Sequence, residues 1–95
     1  MLVEEVLPRS YVLEQNYPNP FNPETEIRYG LPEGGRVTLR VYTMLGEEVV
    51  TLVDSDQPAG WHTVSFGGTE LSSGLYLYRL EASDFVSIKK MILLK

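Results

Sequence analysis

Cysteine is absent from this 95-residue chain, and histidine and tryptophan occur once each. Without cysteine there is neither a disulfide framework nor a thiolate metal site, although that absence suits a cytosolic and an exported protein equally. Positive charge is scarce too. Eight Lys and Arg stand against thirteen Asp and Glu, a net charge of −5, which excludes the clustered basic footprint needed to neutralise nucleic-acid phosphates. Long apolar runs are missing: Met91 to Leu94 falls far short of the roughly 20 residues that span a bilayer. Nor does Met1-Leu2-Val3-Glu4-Glu5-Val6 read as a signal peptide, since acids stand where its basic region would be.

What remains suits a single small domain. A chain of this size buries roughly 60–70% of the surface its unfolded form exposes, enough for one modest core. Residues 1–10, with Glu4, Glu5, Pro8, Arg9 and Ser10, carry no usable period and read as a linker, with the folded domain spanning 11–95. From Asn16 to Pro23 three prolines alternate with asparagines, which reads as a rigid loop that Tyr17 and Phe21 can anchor.

Strand signals then recur at short, turn-marked intervals. Thr25, Ile27, Tyr29 and Leu31 alternate with polar residues or glycine, as do Val37, Leu39 and Val41. Glu48 to Val53 and Trp61 to Phe66 follow, separated by an acidic turn expected over Asp54 to Gly60. Leu75 to Ala82 and Phe85 to Leu94 form a terminal hairpin around Ser83-Asp84, and Tyr11 to Gln15 adds an edge strand. No window longer than about ten residues has helical periodicity. The expectation is an all-β fold, an Ig-like antiparallel β-sandwich of about seven strands, with a small β-barrel as the competing architecture.

Catalytic patterns are poorly supplied. His62, the sole histidine, sits mid-strand with no nucleophile or acid at a motif spacing. Asp54 and Asp56 have the spacing of the first ligands of a calcium loop, and Asp84 could join them, but the required glycine and bidentate glutamate are missing. Glu47, Glu48 and Glu70 read as solvated acids rather than as a glycosidase pair, because adjacent strand residues point to opposite faces. Gly34-Gly35, Gly67-Gly68 and Gly74 belong to separate turns, and none opens a helix to cradle a phosphate. No catalytic residue, metal ligand or cofactor is therefore expected. The alternative reading is a carbohydrate-binding module using Tyr42, Trp61 and Tyr78 as flat platforms for a polysaccharide. Alternation puts Tyr76, Tyr78 and Leu80 on one face and Leu75, Leu77 and Arg79 on the other, so one of these sets must be core.

Several separated motifs occur together and in order. They are Asn16-Tyr17-Pro18-Asn19-Pro20-Phe21-Asn22-Pro23, Tyr29-Gly30-Leu31-Pro32, Val41-Tyr42-Thr43-Met44-Leu45-Gly46-Glu47-Glu48-Val49, Ala59-Gly60-Trp61-His62, Leu71-Ser72-Ser73-Gly74-Leu75-Tyr76-Leu77-Tyr78 and Lys90-Met91-Ile92-Leu93-Leu94-Lys95. This set resembles the type A C-terminal sorting domain of the type IX secretion system, with Thr43 where the family usually has aspartate. The Ig-like flagellar hook-capping domain shares some of the hairpin and Ser-Gly-Tyr patterns.

The resemblance implies an Ig-like module at the end of a larger secreted protein, recognised by outer-membrane secretion machinery and processed upstream of Tyr11 by a sortase-like protease. It implies an exported, secreted or surface-anchored parent, with the recognition residues falling at Gly74, Tyr76, Lys90, Met91, Leu93 and Lys95. An edge strand at the end, with unpaired backbone groups and lysines against aggregation, fits such a role. On this reading, removing the last few residues abolishes export while leaving most of the sandwich folded. A polysaccharide-binding accessory module or a structural Ig-like spacer are the rival readings.

Overall fold

The computed structural model describes residues 6–95. Seven strands form: β1 (Val12–Leu13), β2 (Glu24–Leu31), β3 (Gly35–Thr43), β4 (Glu48–Gln57), β5 (Gly60–Gly67), β6 (Gly74–Ala82) and β7 (Phe85–Leu93). Every neighbouring pair is antiparallel. One sheet has the order β1-β2-β5 and the other β4-β3-β6-β7. This is the Ig-like plan with the fourth strand placed beside the third, on the sheet that also holds the last two.

Period-two alternation builds the core. In β2, Thr25, Ile27, Tyr29 and Leu31 are buried while Glu24, Glu26 and Arg28 are exposed. Across the sandwich Val37, Leu39 and Val41 of β3, Tyr76, Tyr78, Leu80 and Ala82 of β6, and Met91 and Leu93 of β7 supply the facing layer. Tyr76, Tyr78 and Leu80 are thus the core set of β6, and Leu75, Leu77 and Arg79 face outward. Leu39 pairs with Leu80, and Tyr76 with Met91, so one layer of side chains runs across three strands.

Two sequence expectations change. Asp54 to Gln57 is not a turn but the second half of β4, paired residue by residue with Gly35 to Thr38. Those residues carry no apolar alternation because they sit on the sheet's outer edge, where backbone pairing alone holds them extended. Within the expected 1–10 linker, residues 1–5 lie outside the described residues. Leu7 and Arg9 are exposed but Pro8 is buried. A side chain on Gly30 would lie 2.8 Å from Pro8 Cγ and 2.9 Å from the Trp61 ring, so Pro8 and Trp61 close over a gap that only glycine leaves.

Two tyrosine hydroxyls are enclosed by the fold. Tyr29 donates to the Gln57 side-chain oxygen, and Tyr78 donates to the Glu14 carbonyl at 2.7 Å. Burial, which disfavours the phenolate, pushes both groups up from 10.0 to about 12. Above pH 10 the unfolded chain therefore loses these protons while the native state keeps them, so stability falls as pH rises through that window. Alkaline unfolding followed by tyrosinate absorbance should show a loss on the order of 2–3 kcal/mol for each tyrosine by pH 12.

Candidate recognition site at one end of the sandwich

The registers divide the turns between two ends. Residues 6–11, the β2–β3 turn at 32–34, the β4–β5 turn at 58–59 and the β6–β7 turn at 83–84 lie at one end, where Leu31 pairs with Gly60 and Ala82 with Phe85. At the other lie the 16–23 loop, the β3–β4 turn at 44–47, the 68–73 loop and the last residues, where Gly74 pairs with Leu93 and Tyr42 with Glu48. A nine-residue strand separates the ends by about 30 Å. Four of the sequence motifs, far apart in the chain, are thus drawn to one end.

The Asn16–Pro23 loop does more than turn the chain. Phe21 is buried, tilted against Phe66 at 5.9 Å, and forms a parallel bridge to Leu93. Its N–H donates to the Ile92 carbonyl, and its own carbonyl accepts from Leu94 N–H, both at 2.9 Å. Asn19 Oδ1 accepts the Ile92 N–H at 2.9 Å, and Gln15 Nε2 donates to the Lys90 carbonyl at 2.7 Å. The loop therefore clasps the outer edge of β7 from Lys90 to Leu94, an edge the sequence reading leaves free. Tyr17, expected as an anchor, is 70% exposed; its backbone bridges Glu26 instead.

Inside the loop the polar groups are satisfied locally. Asn16 is buried. Its N–H donates to the Tyr78 hydroxyl at 2.8 Å, and its side-chain amide donates to Thr25 Oγ1 at 3.0 Å and to the Pro18 carbonyl at 3.2 Å. Thr25 in turn donates to the Pro18 carbonyl at 2.8 Å. Asparagine suits this position because one side chain both donates and accepts.

The expected recognition residues separate into two groups. Met91 and Leu93 are wholly buried and Tyr76 nearly so, its hydroxyl donating to the Ser72 carbonyl at 2.7 Å. A partner has no access to them. Gly74, Lys90 and Lys95 are exposed. Gly74 has φ +152, a region that side chains strain to enter. Lys95 reaches the 68–73 loop, with Nζ 2.6 Å from the Thr69 carbonyl and its N–H 3.0 Å from Ser73 Oγ. Around them the end exposes Tyr17, Met44, Leu45, Leu75 and Leu94. Sequence reasoning missed that apolar rim, although the out-of-phase position of Leu75 and Leu94 relative to their strands' core residues signals it.

Charge at this end is unusual for the molecule. Arg28, Arg36, Arg40 and Arg79 are paired with Glu14, Asp54, Glu48 and Glu81 at 2.9, 2.6, 3.2 and 2.7 Å. The chain's only lysines, Lys89, Lys90 and Lys95, have no acidic partner among the described residues. Among the described residues, this acidic protein's unneutralised ammonium groups thus lie on β7 and just beyond it.

The sugar-platform residues are dispersed. Tyr78 is 0% exposed and presents no face to a ligand; a tyrosine on the core side of a strand buries its ring when its hydroxyl finds partners. Trp61 carries the Arg28 guanidinium 4.0 Å from its ring centre. Tyr42, half-buried, lies on the outer face of the other sheet beside Leu77, Arg79 and Ile88. His62 donates to the Pro58 carbonyl at 2.8 Å and stacks on Tyr29 at 5.3 Å, a packing role. No group of three metal-ligating side chains occurs among the described residues, so Asp54, Asp56 and Asp84 do not converge.

An antiparallel two-sheet sandwich with four of its six signature segments at one end, and Lys90 and Lys95 beside them, defines a small all-β domain built around its terminal strand. Residues 15–94 match the family model of the secretion system C-terminal sorting domain, and the chain belongs to that family, the sorting domains of type IX secretion. Comparison with curated proteins gave no match. Domains of this family are in general non-catalytic. They are C-terminal signals that engage the secretion machinery, and the location they imply is the cell surface or the medium.

Proposed function

We propose that this domain directs a larger parent protein across the outer membrane and to the cell surface through the exposed side chains at its loop-clasped end. The carrying observation is that the accessible candidate residues Gly74, Lys90 and Lys95 share one end with the exposed Leu75 and Leu94, about 30 Å from the turns near residues 6–11. An upstream domain joined through that segment would leave the reading end unobstructed. Lys90, Leu94 and Lys95 make the contacts in this reading, while Tyr76, Met91 and Leu93 hold the strand in place. Cleavage upstream of Tyr11 by a sortase-like protease would then separate cargo from signal.

The test is export of a folded reporter carrying residues 1–95 in a type IX-competent bacterium. Lys90→Glu with Lys95→Glu should reduce export at least about tenfold while shifting stability by less than about 0.5 kcal/mol, the range of ordinary surface changes. Unchanged export of this variant would refute the assignment and favour the structural-spacer reading. The polysaccharide reading has no shared platform in its favour, because Tyr42 and Trp61 lie on different sheets and Tyr78 is in the core.

A further inference from the structure

β7 is an edge strand, and only part of its edge is covered. Because Ile92 and Leu94 exchange backbone bonds with Phe21 on the outer side, the even-numbered residues of β7 point their peptide groups outward. The odd-numbered ones face β6. Gln15 takes the Lys90 carbonyl and Asn19 the Ile92 N–H. Towards the β6–β7 turn the clasp ends. The N–H and C=O of Val86 and Ile88, and the N–H of Lys90, are engaged by no hydrogen bond among the described residues. Val86 and Ile88 are also 49% and 55% exposed.

We propose that Val86 to Lys90 is a docking edge for an extended partner segment that alternates apolar and acidic residues. The contact goes beyond the terminal reading surface: it shares Lys90 with that surface but uses the stretch of β7 from Val86 to Lys89 that the loop leaves uncovered. Strand addition would satisfy the open peptide groups, and apolar side chains on one face of the added strand would cover Val86 and Ile88. Lys89 and Lys90 flank the edge on its two faces, and neither has an acidic partner among the described residues, where four arginines do. That charge selects carboxylates on the incoming strand. It also disfavours a second copy of β7, which would bring four lysines together.

The experiment is titration of the isotope-labelled 95-residue chain with a blocked Glu-Val-Glu-Val-Glu-Val peptide, reading amide exchange and chemical shifts, beside a Lys-Val-Lys-Val-Lys-Val control. Exchange at the Val86, Ile88 and Lys90 amides should slow with the acidic peptide, which should bind at least about tenfold more tightly than the basic one. Lys89→Glu with Lys90→Glu should reverse that preference. Ile88→Pro should abolish binding, because the lost N–H points away from β6 and edge prolines leave a ladder intact. An unchanged melting temperature for both variants would show that the fold is retained. Equal binding of the two peptides, shifts confined to another face, or concentration-dependent protection of the same amides without peptide would each overturn the proposal.

Discussion

A chain ending at Lys90 is expected not to fold. The five residues removed include Met91 and Leu93, both 0% exposed, and large-to-small changes at such sites cost about 2–5 kcal/mol each. Leu93 also fills the space above Gly68, whose added Cβ would lie 2.8 Å from Leu93 Cδ2. With the strand end gone, Phe21 loses both backbone bonds to Ile92 and Leu94, and the 16–23 loop has no edge to hold. Together these losses match the whole stability of a domain this size, about 5–15 kcal/mol.

Thermal unfolding followed by near-ultraviolet circular dichroism should therefore show no cooperative transition for residues 1–90. A melt within a few degrees of the full chain would mean that the two sheets hold without their last core layer. The consequence reaches function. Loss of export on truncation would report unfolding and leave recognition untested, contrary to the expectation that a shortened end spares the sandwich. Substitutions at Lys90, Leu94 and Lys95 separate the two effects, since those side chains are exposed.

Much of the fold is legible wherever one face of a strand is buried. Thr25, Ile27, Tyr29 and Leu31 announce β2, and Val37, Leu39 and Val41 announce β3, because burial repeats every second residue. Asp54 to Gln57 escaped that logic. Its side chains are mostly exposed, and its extension comes from pairing with β3, a neighbour the local sequence does not reveal. On β6, periodicity divides the residues into two faces without saying which is core, so Tyr78 could equally be a platform. The 16–23 loop is legible as rigid from its prolines and asparagines. Its role as a clasp is not, because Asn19 and Ile92 are 73 positions apart. The recognition end is likewise a product of register, which local patterns do not carry.

Tyr78→Phe should produce the largest loss of any single-atom change. The hydroxyl donates to the Glu14 carbonyl at 2.7 Å and accepts the Asn16 N–H at 2.8 Å, tying the loop that clasps β7 to the centre of β6. Removing the oxygen keeps the ring and its packing but leaves a buried donor and a carbonyl without their partner, at about 1–3 kcal/mol for each unsatisfied group. Buried Asn16 cannot turn its N–H to solvent without lifting the loop from Thr25 and Pro18. The expected total is about 2–5 kcal/mol, and at about 4–8 °C per kcal/mol for a domain of this size it lowers the melting temperature by about 8 °C or more. A thermal melt checks the magnitude, and amide exchange checks the location. Protection should fall first at Asn16, Phe21 and Leu94, because the clasp opens before the sheets separate. A fall spread evenly over all strands would instead make the loop an inseparable part of the core. In the clasped case Tyr78→Phe also uncovers the Ile92 and Leu94 peptide groups, which lengthens the open edge of β7 while Lys90 and Lys95 remain in place.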